Sequence, residues 1–119
     1  MSITVRDILT PKPGATIINA GAHAGKREIL GAIRYKPSDV LAADHLALPI
    51  AHESTVILYA ENGHDDALVK IAQKMRADGF TDVRVYSGTL AEYEKSGGAT
   101  QQPSTEQIVP PSTIALSER

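Results

Sequence analysis

The sequence predicts one α/β domain built on a parallel sheet, and three observations carry that expectation. Thr55–Tyr59 (TVILY) is an apolar run suited to burial on both faces, the pattern of a strand inside a parallel sheet. Between residues 65 and 78 the apolar residues Leu68, Ile71, Ala72 and Met75 recur at three- and four-residue steps, and Gly79 stands where a left-handed C-terminal cap belongs; this stretch is a helix. Asp82–Tyr86 (DVRVY) supplies a second strand a few residues later, so strand, helix and strand form a right-handed crossover unit with parallel pairing. A chain of 119 residues has room for one such core.

The other elements follow in chain order. Thr4 followed three residues later by Asp7, with Val5 between them and Ile8 and Leu9 after, predicts a capped helical turn. Pro11, Pro13 and Gly14 break the chain, and residues 15–20 (ATIINA), apolar and β-branched, predict a buried strand. Residues 21–28 predict a loop, and residues 29–35 (ILGAIRY) one short strand or extended segment. Pro37 and Ser38 open a helix running through Val40, Leu41 and Leu46, with Ser38 or Asp39 as its cap. A last helix, Leu90–Lys95, ends at Gly97 and Gly98. From residue 100 the composition turns to Gln, Pro, Ser and Thr, which bury too little apolar area to offset ordering entropy. Residues 1–99 are therefore expected to form the domain and residues 100–119 a flexible tail, with 113–116 its segment for docking on the body or a partner.

Composition narrows the functional classes. Net charge is −2 with the signs interspersed, so there is no basic stripe and nucleic acid is not an expected partner. The apolar runs fall far below the roughly 18–20 residues that span a bilayer. The N-terminal MSITVRDIL places Arg6 and Asp7 where a signal peptide would be apolar. A cytoplasmic location without a membrane partner is the expectation. With no cysteine, disulfides, thiolate metal sites and covalent sulfur chemistry are all excluded for this chain. His23, His45, His52 and His64 lie on separate segments without zinc-motif spacing, so neither a metal nor a cofactor is expected. Ser54 and Ser87 lack the strained elbow of a serine nucleophile.

The candidate site is the turn between the 55–59 strand and the following helix. Loop N–H groups and the helix N-terminus favour an anion in such a turn. Ala60, Glu61, Asn62, Gly63, His64 and Asp65 form this anion or ligand loop; Gly63 permits positive φ, and Asp65 or Asp66 caps the helix. His64 can hydrogen-bond a ligand or a partner's carboxylate. Asn19, Lys26 and Arg27 are expected at the pocket rim, because their segments open at the same carboxyl end of the sheet.

Residues 55–99 resemble the C-terminal half of a single-domain rhodanese. In that family an apolar strand ends in a cysteine, a C-x-x-G-x-[ST] loop follows, and a helix leads to G-F-x-x-V and G-G-L-x-x-W-x-x-x-G. TVILYAENGHD, DGFTDVRVY and SGTLAEYEKSGG are similar, with Tyr93 at the usual tryptophan position. Upstream, ATIINA resembles the strand that ends in Asp-x-Arg, and EILGAI resembles H-I-P-G-A-I. The resemblance implies a three-layer α/β/α fold with a mainly parallel central sheet of about five strands.

The departures bear on activity. Ala60 occupies the position of the persulfide-forming cysteine, Asn19 and Gly21 stand where the family has Asp and Arg, and Glu28 and Leu30 replace His and Pro. A rhodanese takes sulfane sulfur on its thiolate and stabilises the persulfide with loop N–H groups, which alanine cannot do. Glu61, Asp65 and Asp66 oppose thiosulfate, sulfate and phosphate. The resulting expectation is a catalytically silent rhodanese-like domain that binds a protein partner or a small anion. Two alternatives stand beside it. One is a thiosulfate or persulfide sulfurtransferase whose native cysteine at position 60 has been replaced by alanine. The other is a structural, homo-oligomerising unit whose residues 100–119 reach a neighbouring subunit.

Overall fold

Apolar side chains alternate along the central strands, and the alternation sorts them onto two faces. The computed structural model describes residues 2–22, 25–43, 48–63 and 65–107. Along the chain these form β1 (Ser2–Ile3), α1 (Val5–Leu9), β2 (Thr16–Asn19), β3 (Glu28–Ile29), β4 (Ile33–Tyr35) and α2 (Pro37–Ala42). There follow β5 (Thr55–Tyr59), α3 (Asp66–Ala77), β6 (Asp82–Tyr86), α4 (Leu90–Lys95), β7 (Thr100–Gln101) and β8 (Glu106–Gln107). The main sheet has the order β1-β6-β5-β2-β4-β8, and each neighbouring pair in it is parallel.

One face carries Ile18, Val56, Leu58 and Val83 against Val40 of α2 and Leu68, Ile71, Ala72 and Met75 of α3. The other carries Ile17, Ile57, Tyr59 and Tyr86 against Ile8 of α1 and Leu90 and Tyr93 of α4. The result is the expected α/β/α sandwich. Because β5 is buried on both faces, its run of five apolar or half-polar residues needs no polar alternation. No helix among the described residues is long and apolar enough to cross a membrane.

Local signals placed most ends. The Thr4 N–H donates to Asp7 Oδ2 at 3.2 Å, closing the capping pair of α1. Thr89 and Glu92 make the same box at α4: the Thr89 N–H donates to Glu92 Oε1 at 3.0 Å and the Glu92 N–H to Thr89 Oγ1 at 3.0 Å. Asp65 caps α3, its Oδ1 accepting the Ala67 N–H at 2.9 Å, and Gly79 beyond the far end has φ +104°.

Three expectations are corrected. Residues 29–35 are not one strand: β3 and β4 are separated by a turn at Gly31 (φ +86°), in which the Ala32 N–H donates to the Ile29 carbonyl at 3.0 Å. The cap of α2 is Lys36 rather than Ser38 or Asp39, because Pro37, with its fixed φ and missing N–H, takes the first helical position. Leu46 lies outside the described residues. Finally, residues 100–107 do not leave the body at residue 100. β7 pairs antiparallel with β3 in a second small sheet, and β8 extends the main sheet beside β4. Polar contacts with buried charges hold this segment, which is why its low apolar content misled. The segment 113–116 lies outside the described residues.

Candidate functional site

The connection after β2 leads toward β4 on one side of the sheet, while that after β5 leads toward β6 on the other. A crevice opens outside the carboxyl ends of two such strands. The Ala20 N–H donates to the Tyr59 carbonyl at 2.9 Å, carrying the β2–β5 ladder to its last residue before the two loops part. There a cavity of about 90 Å³ is lined by Gly21, Ala22, Ala60, Glu61, Asn62, Gly63 and Asp65. That is well below the several hundred Å³ of a pocket for a drug-sized ligand. It suits a side-chain tip or a molecule of a few atoms.

Ala60 is buried among the residues that line the cavity, and its side chain is only a methyl group. The loop after it is a tight turn in which the Gly63 N–H donates to the Ala60 carbonyl at 3.1 Å. Gly63 has φ +89°, and a Cβ there would lie 3.2 Å from Thr89 Cγ2 and 3.4 Å from the Gly88 carbonyl oxygen. Glycine is needed both for the turn and for this close approach. The Leu90 N–H donates to the Glu61 carbonyl at 2.9 Å, tying the loop to the start of α4.

These bonds change the electrostatics expected of the loop. The Gly63 and Ala67 N–H groups are satisfied inside the loop and cap. Two acidic residues, Glu61 and Asp65, are among those that line the cavity. The Glu61 carboxylate crosses to the facing loop, where a Cβ at Gly25 (φ +78°) would run into it. Burial pushes the Tyr59 phenol far above its ordinary value, and Glu28 and Glu61 push it further in the same direction, so it stays neutral. Its oxygen accepts the Ile29 N–H at 2.9 Å, a structural role.

Asn19, Lys26 and Arg27, the expected rim residues, are not among the residues that line the cavity. Arg27 Nε donates to Thr100 Oγ1 at 2.6 Å and lies 3.7 Å from Glu94 Oε2, facing α4 and the C-terminal segment. Lys26 is exposed, and neither it nor Asn19 lines the cavity. His64, together with His23, Ala24 and His45, lies outside the described residues. Among the described residues, no group of three or more His, Asp or Glu side chains is placed to hold a metal ion.

Asn19 instead joins a buried polar network. Its Nδ2 donates to Glu28 Oε1 at 3.4 Å, so two positions at which the sequence departs from the rhodanese pattern meet in space. Glu28 is 0% exposed; its Oε2 accepts Gln101 Nε2 at 2.6 Å and the Ser104 N–H at 2.8 Å. Arg34, 2% exposed, donates from Nη1 to the Gly21 carbonyl at 2.6 Å and from Nε to Glu106 Oε2 at 3.2 Å. Sequence reasoning missed Arg34, Gln101 and Ser104. The available signal was a pair of opposite charges, Glu28 and Arg34, enclosing the apolar ILGAI.

No family model matches this sequence, and no curated protein matches it. Solved structures do. The Alr3790 protein from Anabaena sp. superposes with a TM-score of 0.68 at 18% identity, over 87% of this chain and 94% of that one. The rhodanese-like domain of the same protein, solved in solution, gives 0.67 at 17% identity over 92% and 91%. SseA from Escherichia coli, described with the rhodanese fold and the mechanism of 3-mercaptopyruvate sulfotransferases, gives 0.63 at 16% identity over 90% of this chain and 52% of that chain. The chain has the rhodanese-like fold.

Proposed function

We propose that, on this rhodanese-like scaffold, the chain works by binding and performs no sulfur transfer, the cavity at Ala60 receiving a small group presented by a protein partner. The observation that carries this reading is the methyl group of Ala60 in the lining, at the position where the resembling family holds its sulfur-carrying thiolate. A methyl group has no lone pair with which to attack a sulfur donor.

A protein partner is favoured over a free small anion by the electrostatics of the lining. The Gly63 N–H of the loop and the Ala67 N–H in the first turn of α3 are already satisfied, and the negative charges of Glu61 and Asp65 oppose thiosulfate, sulfate and phosphate. The small volume accommodates a side-chain tip.

The test is sulfur transfer from thiosulfate to cyanide by the full chain, alongside Ala60→Cys examined by mass spectrometry after incubation with thiosulfate. The wild-type chain is expected to give no turnover above the uncatalysed rate; turnover that depends on position 60 would overturn the reading. Ala60→Cys is expected to carry no persulfide. If it loads sulfur, the acidic loop does not exclude the donor, and the enzyme reading with a replaced cysteine takes precedence.

A further inference from the structure

The cavity wall at Gly21 is held by two side chains that are themselves held by the C-terminal segment. The Gly21 N–H donates to Asn19 Oδ1 at 3.3 Å, and the Gly21 carbonyl accepts Arg34 Nη1 at 2.6 Å. Both sides of this residue's backbone are therefore fixed by buried side chains. Arg34 Nη1 also lies 3.4 Å from Asn19 Oδ1, which joins the two holders.

Each holder depends on residues more than 70 positions away. Glu28, which orients the Asn19 amide, is bound by Gln101 Nε2 and the Ser104 N–H. Arg34 is bound by Glu106 Oε2, a partner whose own side chain is 47% exposed. Gln101 is further fixed by the Gly31 N–H, which donates to its Oε1 at 2.9 Å, and by β7 pairing with β3. Among the described residues no buried side-chain nitrogen or oxygen lacks a partner. Displacing the segment would leave Glu28 without two of its donors and Arg34 without its carboxylate. Both charged groups would then turn toward water, because a buried charge without its partner is strongly unfavourable. Their holds on Asn19 and Gly21 would loosen together.

We propose that residues 100–107 act as a strap that sets the wall of the Ala60 cavity through Gly21, so that docking of the strap and filling of the cavity are coupled. The setting of the wall stands on the hydrogen bonds alone; the coupling to filling rests on the binding role proposed above. By reciprocity, whatever fills the cavity with the wall in place also favours the docked strap.

The experiment is amide hydrogen exchange by NMR on the full chain without ligand, comparing wild type with Gln101→Ala and with Glu106→Gln. Gln101→Ala removes a donor from Glu28 and the acceptor of the Gly31 N–H, while Glu106→Gln weakens the hold on Arg34 from an exposed position. Exchange at Gly21 is expected to rise by at least about fivefold relative to the amides of α3 in Gln101→Ala, with a smaller rise of the same kind in Glu106→Gln. No rise at Gly21, or one matched throughout α3, overturns the strap. Should Gln101→Ala fail to fold, Glu106→Gln decides alone by the same criterion. Since no ligand is present, failure here leaves the binding role untouched, and failure to find a binding partner leaves the strap intact.

Discussion

Two regions flank the end of β2, and they are built in opposite ways. On one side the Ala60 cavity is lined mainly by glycine, alanine and a tight turn, with Glu61 and Asp65 at its margin. On the other, Asn19, Glu28 and Arg34 are almost wholly buried and satisfied by one another, by backbone and by residues 101–106. The polar side chains thus hold backbone in place, and the cavity keeps little chemistry of its own. Substitutions should accordingly matter for stability in the network and for occupancy in the cavity.

The largest expected effect tests the network. Glu28→Ala removes the acceptor of the Ser104 N–H and one acceptor each of Asn19 Nδ2 and Gln101 Nε2, of which Gln101 Nε2 keeps the Ala32 carbonyl at 3.3 Å. Urea unfolding should show a loss of about 3 kcal/mol or more. A loss below about 1 kcal/mol would mean the network is not a stabilising unit, and the contrast would collapse.

On the cavity side the backbone should matter more than the side chains. Gly63→Ala combines a positive φ with a close contact to Thr89 Cγ2, and about 1–2 kcal/mol of destabilisation is expected in the same assay. An unchanged midpoint would show that the turn can rearrange. Ala60→Ser adds a single oxygen beside open volume, and its stability should stay within about 1 kcal/mol of wild type.

The smallest effect comes from a charge pair built differently again. At the start of β6, Asp82 accepts Arg84 Nε at 3.0 Å and Thr55 Oγ1 at 2.8 Å, with Lys12 Nζ 4.0 Å away. The Arg84 hydrogen bond first, and that of Thr55 second, hold the Asp82 carboxyl below the ordinary aspartate value. A carboxyl depressed in the folded state contributes stability that is present above its unfolded pKa and is lost as pH falls through the folded one. Asp82→Asn should lower stability slightly in the neutral region, where this contribution is present, and leave the acid end nearly unchanged, so the acid limb flattens; the effect is small because the pair is partly exposed and screened. A steep acid loss retained in the variant would place the controlling carboxylate elsewhere.

Much of the scaffold was legible in the chain because its signals are local. β5, α3, β6 and α4 were recognisable from runs, periodicity and capping residues lying within a few positions of each other. The turn at Gly31 was less legible, since ILGAIRY reads as one strand until two different partners divide it. The contacts of Arg27 were hidden for a similar reason. Its loop does open at the carboxyl end of the sheet, but its guanidinium follows Thr100 and Glu94, which the local sequence does not reveal.

The sequence by itself determined the order of strands and helices around the candidate site, the absence of any thiol in the chain, and the alanine at the end of β5. These are properties of composition and of contacts a few residues apart. Tertiary structure alone decided that Asn19 meets Glu28, that Gln101 closes on Glu28 across 73 positions, and that residues 100–107 complete two sheets. The physical reason is that buried charges are tolerated only with partners. Where those partners come from depends on which distant segment can reach them, a matter of sheet order and not of local propensity.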